Sequence, residues 1–132
     1  MHLPSITAIY LAVLALLYAA LAIQVSRLRQ RDRAAFGDNG SLELRCAIRV
    51  HANFAEYVPI ITLMVAMLEM SGLPAMRVHL LMGALVLSRL VHPLGMYAKP
   101  NTLQFRIGRV GGTTISFVSL IACAVMILWR LL

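Results

Sequence analysis

The chain has 132 residues, of which 61% are hydrophobic, and its mean hydropathy is +0.83. Soluble domains average roughly 45–50% apolar residues, so this chain has too little polar surface for a soluble fold of its size. The sequence therefore predicts an integral membrane protein with a single domain, residues 1–132. The net charge of +7 lies in loops between apolar spans, which favours positive-inside bias and contact with anionic lipid headgroups over nucleic-acid binding.

The two cysteines, Cys46 and Cys123, are predicted near opposite faces of the membrane. A disulfide needs a Cα separation under about 7 Å, so we expect two buried free thiols. Because no cysteine or histidine pair has the spacing of a metal site, no metal is predicted.

The first predicted element, helix I, covers about residues 4–26. No aspartate, glutamate, lysine or arginine occurs from His2 to Ser26, and a helix of that length can cross about 30 Å of hydrocarbon. A cleaved signal peptide is the alternative, but Met1-His2-Leu3-Pro4 has no basic segment and the apolar run is too long.

A basic loop, residues 27–41, follows helix I. Its first seven residues contain four arginines, Arg27, Arg29, Arg31 and Arg33, which predict a cytoplasmic position. Ser41 is the expected N-cap of the next helix, with Glu43 in the first turn, where the helix dipole favours an anion.

Three further spans are predicted: helix II at about residues 42–71, helix III at about 74–98 and helix IV at about 105–131. Gly72-Leu73-Pro74 separates the first two of these and Lys99-Pro100-Asn101-Thr102 the last two. The resulting fold class is an all-α membrane protein, a four-transmembrane-helix bundle with both termini on the non-cytoplasmic side. The small residues from Gly111 to Ser116 favour close helix contact in helix IV.

Polar residues interrupt the apolar pattern of helix II. At 100° per residue, Arg49, Asn53 and Glu56 fall within about a 60° arc of one face, and Arg45 extends that stripe by one turn. Ionisable groups at membrane depth are costly, so they indicate a site that faces the bundle interior or a wet cavity.

Arg89 and His92 of helix III and Arg106 and Arg109 of helix IV are predicted to lie in the same membrane leaflet as these helix II residues. Because Glu56 is the one carboxylate among these arginines, an anionic ligand is expected to complete the charge balance. Structural alternatives stay open: Glu56 can form an ion pair with Arg49 or Arg89 that holds two helices together. Arg106 and Arg109 can reflect the positive-inside bias, and His92 can be an acid/base group or a packing residue.

The pattern Arg49-Val50-x-x-Asn53-x-x-Glu56-Tyr57-x-Pro59 resembles the helix II signature of the MAPEG family, the membrane-associated proteins of eicosanoid and glutathione metabolism. The segment from Gln24 to Asn39 is similar to that family's first cytoplasmic loop, and helices III and IV match more loosely. The resemblance covers essentially the whole chain and looks closest to the small bacterial inner-membrane branch.

This resemblance implies a homotrimer in the bacterial inner membrane, with glutathione bound between neighbouring subunits in the cytoplasmic leaflet. The implied glutathione-binding residues are Arg49, Asn53, Glu56, Tyr57, Arg89, His92, Tyr97 and, from the adjacent subunit, Arg27 (or Arg29). An arginine at the start of helix IV, Arg109 in preference to Arg106, is implied as the catalytic partner of the thiolate. The chain departs from the family pattern at Ala52, where some members have arginine, and at Met96, which takes the place of a tyrosine.

The leading functional prediction is a glutathione S-transferase or peroxidase that acts on a small lipophilic electrophile from the bilayer. A non-catalytic relative that binds a lipid or a partner protein is the second hypothesis. The third is a small multidrug/proton exchanger, which is disfavoured because helix I has no carboxylate.

Overall fold

A computed structural model describes residues 3–99 and 101–132, and within these ranges it contains helices and no strand. The elements are α1 (Ser5–Arg31), α2 (Leu42–Met70), α3 (Ala75–Met96), α4 (Leu103–Phe105), a π-helix (Arg106–Gly111) and α5 (Gly112–Leu131). The last three run on as one rod, here called helix IV, and the π-helix is its π segment. Four helices are long and apolar enough to cross a membrane, which confirms the predicted four-helix architecture.

The largest correction concerns helix I, which continues five residues past its predicted end at residue 26 to Arg31. Arginine, leucine and glutamine are good helix formers, and Arg29 and Arg31 in the last turn complement the helix dipole. The helix ends before Arg33, whose φ of +49° is left-handed. The loop is therefore residues 32–41 and not 27–41.

The other boundaries differ by one or two residues. Ser41 caps α2 as predicted, since its hydroxyl accepts from the backbone N–H of Leu44 at 3.3 Å. Helix IV begins at Leu103 and not at residue 105, because the Thr102 hydroxyl accepts from the N–H of Phe105 at 3.2 Å and caps an earlier turn. Pro100, part of the predicted break between helices III and IV, lies outside the described residues.

Two apolar clusters hold the bundle together. The larger is built on fully buried residues of all four spans, including Leu14, Ile61, Met82 and Cys123. The smaller packs the end of α1 and the loop onto the start of α2, with the members Leu28, Ala34, Leu44 and Ala47. Large apolar side chains on the outer faces remain exposed, as suits helices in lipid.

The two ends of the bundle differ in their polar groups. The first turn of α1, the end of α2, the start of α3 and the end of α5 meet at what we call the terminal end. The opposite end carries loop 32–41 and the start of helix IV, and we call it the basic end. Which end faces the cytoplasm stays a prediction from the arginine distribution.

Interhelical hydrogen bonds join all four spans at the terminal end. The Glu69 carboxylate accepts from the backbone N–H groups of Ile6 and Thr7, both at 2.9 Å, and from the Thr7 hydroxyl at 2.6 Å. The Arg130 guanidinium donates to the carbonyl and hydroxyl oxygens of Ser71, each at 2.7 Å. The Tyr10 hydroxyl and the His79 ring are hydrogen-bonded at 3.2 Å.

Toward the basic end, α3 crosses the π segment with backbone against backbone. A Cβ atom on Gly95 would lie 2.2 Å from the backbone nitrogen of Arg109, and one on Gly108 would lie 2.2 Å from that of Gly95. A Cβ atom on Gly112 would likewise lie 3.0 Å from the Cβ of His92. The predicted close contact of small residues is thus confirmed at Gly112, whereas Gly111 faces open space.

Candidate functional site

A groove of about 720 Å³ opens at the basic end between the start of α2, the end of α3 and the start of helix IV. Its volume falls in the range of roughly 300–1,000 Å³ that ligand sites occupy. Three arginines line it, together with apolar and other side chains: Arg45, Arg49, Arg109, Leu42, Glu43, Cys46, Met96, Tyr97, Ala98 and Phe105. The groove thus combines positive charge with apolar walls.

The acidic side chains of loop 32–41 and of the first turn of α2 form ion pairs with Arg31 and Arg45. Arg31 pairs with Asp32 at 2.7 Å and with Glu43 at 2.9 Å, and Arg45 pairs with Asp38. The hydrogen bond from Arg45 holds the pKa of Asp38 below its usual range.

Arg49 and Arg109 have no carboxylate partner among the described residues. Two guanidinium groups without counter-charges in one groove make it suited to an anion.

The structure separates the two candidate arginines of helix IV. Arg109 lines the groove, and its guanidinium carbon lies 5.5 Å from the centre of the Phe105 ring. Arg106 is exposed one turn earlier and does not line the groove. The geometry therefore favours Arg109 for contact with a ligand in the groove.

Tyr97 stands at the rim of the groove, one residue past the end of α3. Its hydroxyl accepts a hydrogen bond from the side-chain amide of Gln24 at 3.2 Å, which links α1 to the site. Partial burial raises the pKa of Tyr97, so its hydroxyl stays neutral at neutral pH and can donate to an anion. Met96 lines the same groove with an apolar surface.

Glu56 is exposed on the outer face of α2. It lies 14 residues after the first residue of that helix, a rise of about 21 Å, which places it near the middle of a membrane-spanning element. Among the described residues it forms no ion pair with Arg49 or Arg89, so the structural alternative of a helix-pairing Glu56 is wrong within one subunit. A carboxylate exposed to lipid at this depth is energetically costly.

Asn53 and Arg89 lie inside the bundle, where they are 8% and 2% exposed. The Arg89 guanidinium donates to the side-chain and backbone oxygens of Asn53 at 2.6 and 3.1 Å. The predicted 60° arc therefore straddles the edge of the buried face of α2. Asn53 falls on the inner side of that edge, while Arg49 and Glu56 fall on the outer side.

The other predicted site residues are dispersed. Tyr57 is half-buried between Arg89, 5.9 Å from its ring centre, and Phe117. His92 is buried behind the groove against Gly112. Arg27 is exposed beside a separate groove of about 410 Å³ between α1 and α2, whereas Arg29 is bound to the loop carbonyl of Gly37 at 3.1 Å.

Several polar residues that form hydrogen bonds between or within the helices are not among the predicted site residues. Glu69 has a sequence signal, a lone carboxylate at the end of an apolar run, but its partners in α1 are more than 60 positions away. Ser88 and Ser116 contact Arg89, and small polar residues in transmembrane helices give no signal of their own. Both cysteines are free thiols; Cys123 is buried as predicted, whereas Cys46 is only half-buried and lines the groove. No potential metal site occurs among the described residues.

Comparison with known proteins gives one consistent result. The sequence model described as "MAPEG family" matches residues 7–129. "Inner membrane protein YecN" of Escherichia coli strain K12 is 34% identical over 124 residues, which cover 94% of this chain and 91% of that protein. The protein of the same name from Escherichia coli O6:H1 strain CFT073 matches equally. No solved structure gives a significant match.

Proposed function

Because the chain belongs to the MAPEG family, we propose that it binds glutathione in the groove of the basic end and activates the thiol toward lipophilic electrophiles. We further propose a homotrimer in the inner membrane, as the name of its relative suggests, with the groove toward the cytoplasm. The reaction would be that of a glutathione S-transferase or peroxidase.

One observation carries this proposal: Arg49 and Glu56 project from the exposed face of the membrane-spanning helix α2, and Arg49 lines a groove that also holds Arg109. Lipid would leave these charges unsatisfied. A second copy of the chain and a ligand with both charge signs would satisfy them. Glutathione has two carboxylates, an ammonium group and a thiol, so its carboxylates can bind the arginines and its ammonium group can bind Glu56.

The chemistry follows from the thiol and from Arg109. A thiol with a pKa of about 8.5 is only a few per cent ionised at neutral pH. A guanidinium in a pocket of low polarity stabilises the thiolate, and each unit by which the thiol pKa falls corresponds to about 1.4 kcal/mol. The thiolate then forms a C–S bond with an electrophilic carbon, and the leaving group departs with the bonding electron pair.

The deciding experiment adds glutathione to the purified, reconstituted protein and records binding together with the ultraviolet absorbance of the thiolate. We expect saturable binding with one thiolate signal per occupied site, and loss of both in Arg49→Gln. The matched control is Arg77→Gln, an exposed arginine at the terminal end, which should bind as the wild type does. Binding without thiolate would favour the non-catalytic relative, and absence of both at saturating glutathione would refute the proposal.

A further inference from the structure

Arg89 has a guanidinium that is fully engaged within its own chain. Its five N–H groups match five acceptors: the Ser88 hydroxyl at 3.1 Å, two oxygens of Asn53, the Gly112 carbonyl at 3.5 Å and the Ser116 hydroxyl. A guanidinium carries five donors in a fixed planar arrangement. No donor of Arg89 therefore remains for a ligand.

The acceptors of Arg89 come from three helices and are all uncharged. Asn53 belongs to α2, Ser88 to α3, and Gly112 and Ser116 to the first turns of α5. The two hydroxyls are oriented to accept, because Ser88 donates its own proton to the Leu85 carbonyl at 2.7 Å and Ser116 donates to the Gly112 carbonyl at 3.0 Å. Uncharged dipoles thus stabilise the buried cation, and its removal would release three helices at once.

The contacts of Arg89 continue along one stripe of α3 toward the groove. Arg89, His92 and Gly95 are three residues apart and all buried, and they face Gly112 and Gly108 of helix IV in turn. Arg109 lies between these two glycines, within the π segment. The position of its backbone is therefore set from both sides by this stripe.

We propose that Arg89 is a positioning residue that anchors the start of helix IV, with Asn53 among its acceptors, and so orients Arg109 without touching the ligand itself. The statement about helix IV is independent of the proposed function, whereas the statement about the ligand rests on it. It differs from the family resemblance, which implies that Arg89 contacts glutathione.

The first test substitutes Arg89→Lys and follows trypsin cleavage after Arg106 and Arg109 in the reconstituted protein. An ammonium group cannot reach acceptors on three helices in the planar arrangement, so we expect cleavage about tenfold faster than in the wild type through local opening. The matched control, Arg77→Lys at the terminal end, should leave the cleavage rate unchanged. Equal rates in Arg89→Lys and the control would overturn the anchoring role.

A second measurement separates a positioning role of Arg89 from a general loss of structure. In Arg89→Lys, the pH at which half of the bound glutathione is ionised should rise by about one unit, since Arg109 is displaced from the thiolate. Binding of S-methylglutathione, which has no thiol, should change less than threefold. Loss of both ligands in equal measure would contradict the proposal.

These experiments also distinguish a failure of this inference from a failure of the proposed function. If the wild type binds no glutathione, the proposed function fails, and the trypsin rates alone decide whether Arg89 anchors helix IV. If Arg89→Lys does not fold, Asn53→Ala takes its place in the trypsin comparison, because it removes one acceptor of the cluster and leaves the guanidinium.

Discussion

At the terminal end, Glu69, Tyr10 and Arg130 each bond to another helix of the same chain, whereas at the basic end Arg49 and Arg109 face a groove without a carboxylate partner among the described residues. Both ends contain charged side chains near a membrane surface. The difference is that the named groups of the terminal end are hydrogen-bonded within one chain, whereas these two arginines have no carboxylate partner among the described residues. Under the proposed function, a ligand and a second copy of the chain would supply the missing partners at the basic end.

The largest expected effect comes from the glycine crossing that shapes the basic end. In Gly108→Ala the new Cβ would lie 2.2 Å from the Gly95 nitrogen, so α3 and helix IV must separate, at a cost of about 2–3 kcal/mol in the free energy of unfolding. Denaturation in mixed detergent micelles measures it. Gly111→Ala is the matched control, because nothing lies within 4 Å of its Cβ, and it should stabilise the helix by about 0.5–1 kcal/mol. Equal stability of the two variants would contradict the observed crossing.

A smaller loss of stability is expected when the hydrogen bonds of the terminal end are removed. Glu69→Ala leaves two backbone N–H groups and the Thr7 hydroxyl without their acceptor, which should lower the free energy of unfolding by about 1.5–3 kcal/mol. Thr7→Val removes one of these three bonds and should cost about 1 kcal/mol. Glutathione binding should persist in the folded fraction of both variants. A loss of binding without a loss of stability would show that the two ends are not independent.

At the basic end, Arg109→Gln should change function and spare stability. The side chain is exposed, so the free energy of unfolding should stay within about 0.5 kcal/mol of the wild type. The fraction of bound glutathione present as thiolate should fall about tenfold, since its counter-charge is lost. Arg106→Gln serves as the comparator, and a larger loss of thiolate there would assign the role to Arg106.

The smallest effect concerns the loop and its response to pH. The hydrogen bond from Arg45 holds the pKa of Asp38 below its unfolded value, and that from Arg31 does the same for Asp32. A lowered carboxyl pKa stabilises the folded loop above about pH 4, and this contribution is lost as the pH falls through the folded pKa. The protection factors of residues 32–41, which correct hydrogen exchange for its intrinsic pH dependence, should therefore stay constant from neutral pH to about pH 4 and fall only below it. A fall in protection between pH 7 and 5 would contradict the two ion pairs.

Much of the architecture follows from local patterns. The apolar runs fix four spans, and the Ser41 cap marks where α2 begins. The same patterns place Arg49 and Arg109 at one end of the bundle. These features depend on composition and on residues close in sequence, which is why the sequence is sufficient for them.

The remaining features depend on which face of each helix is buried. A helical wheel gives the angle between Asn53 and Glu56, but not the position of the boundary that puts Asn53 inside and Glu56 outside. The π segment arises where Gly95 and Gly108 bring two backbones into contact, and neither helix specifies that contact alone. The five-acceptor cluster around Arg89 likewise draws on three helices.

The hydrogen bonds of Glu69 also bear on how the protein is made. Its carboxylate accepts from first-turn N–H groups of α1 across separations of 62 and 63 residues, so these groups gain this acceptor only after α2 has been synthesised. The sequence of α1 itself contributes no side-chain cap. We therefore expect completion of the α1–α2 hairpin to be the step that fixes the first helix in depth.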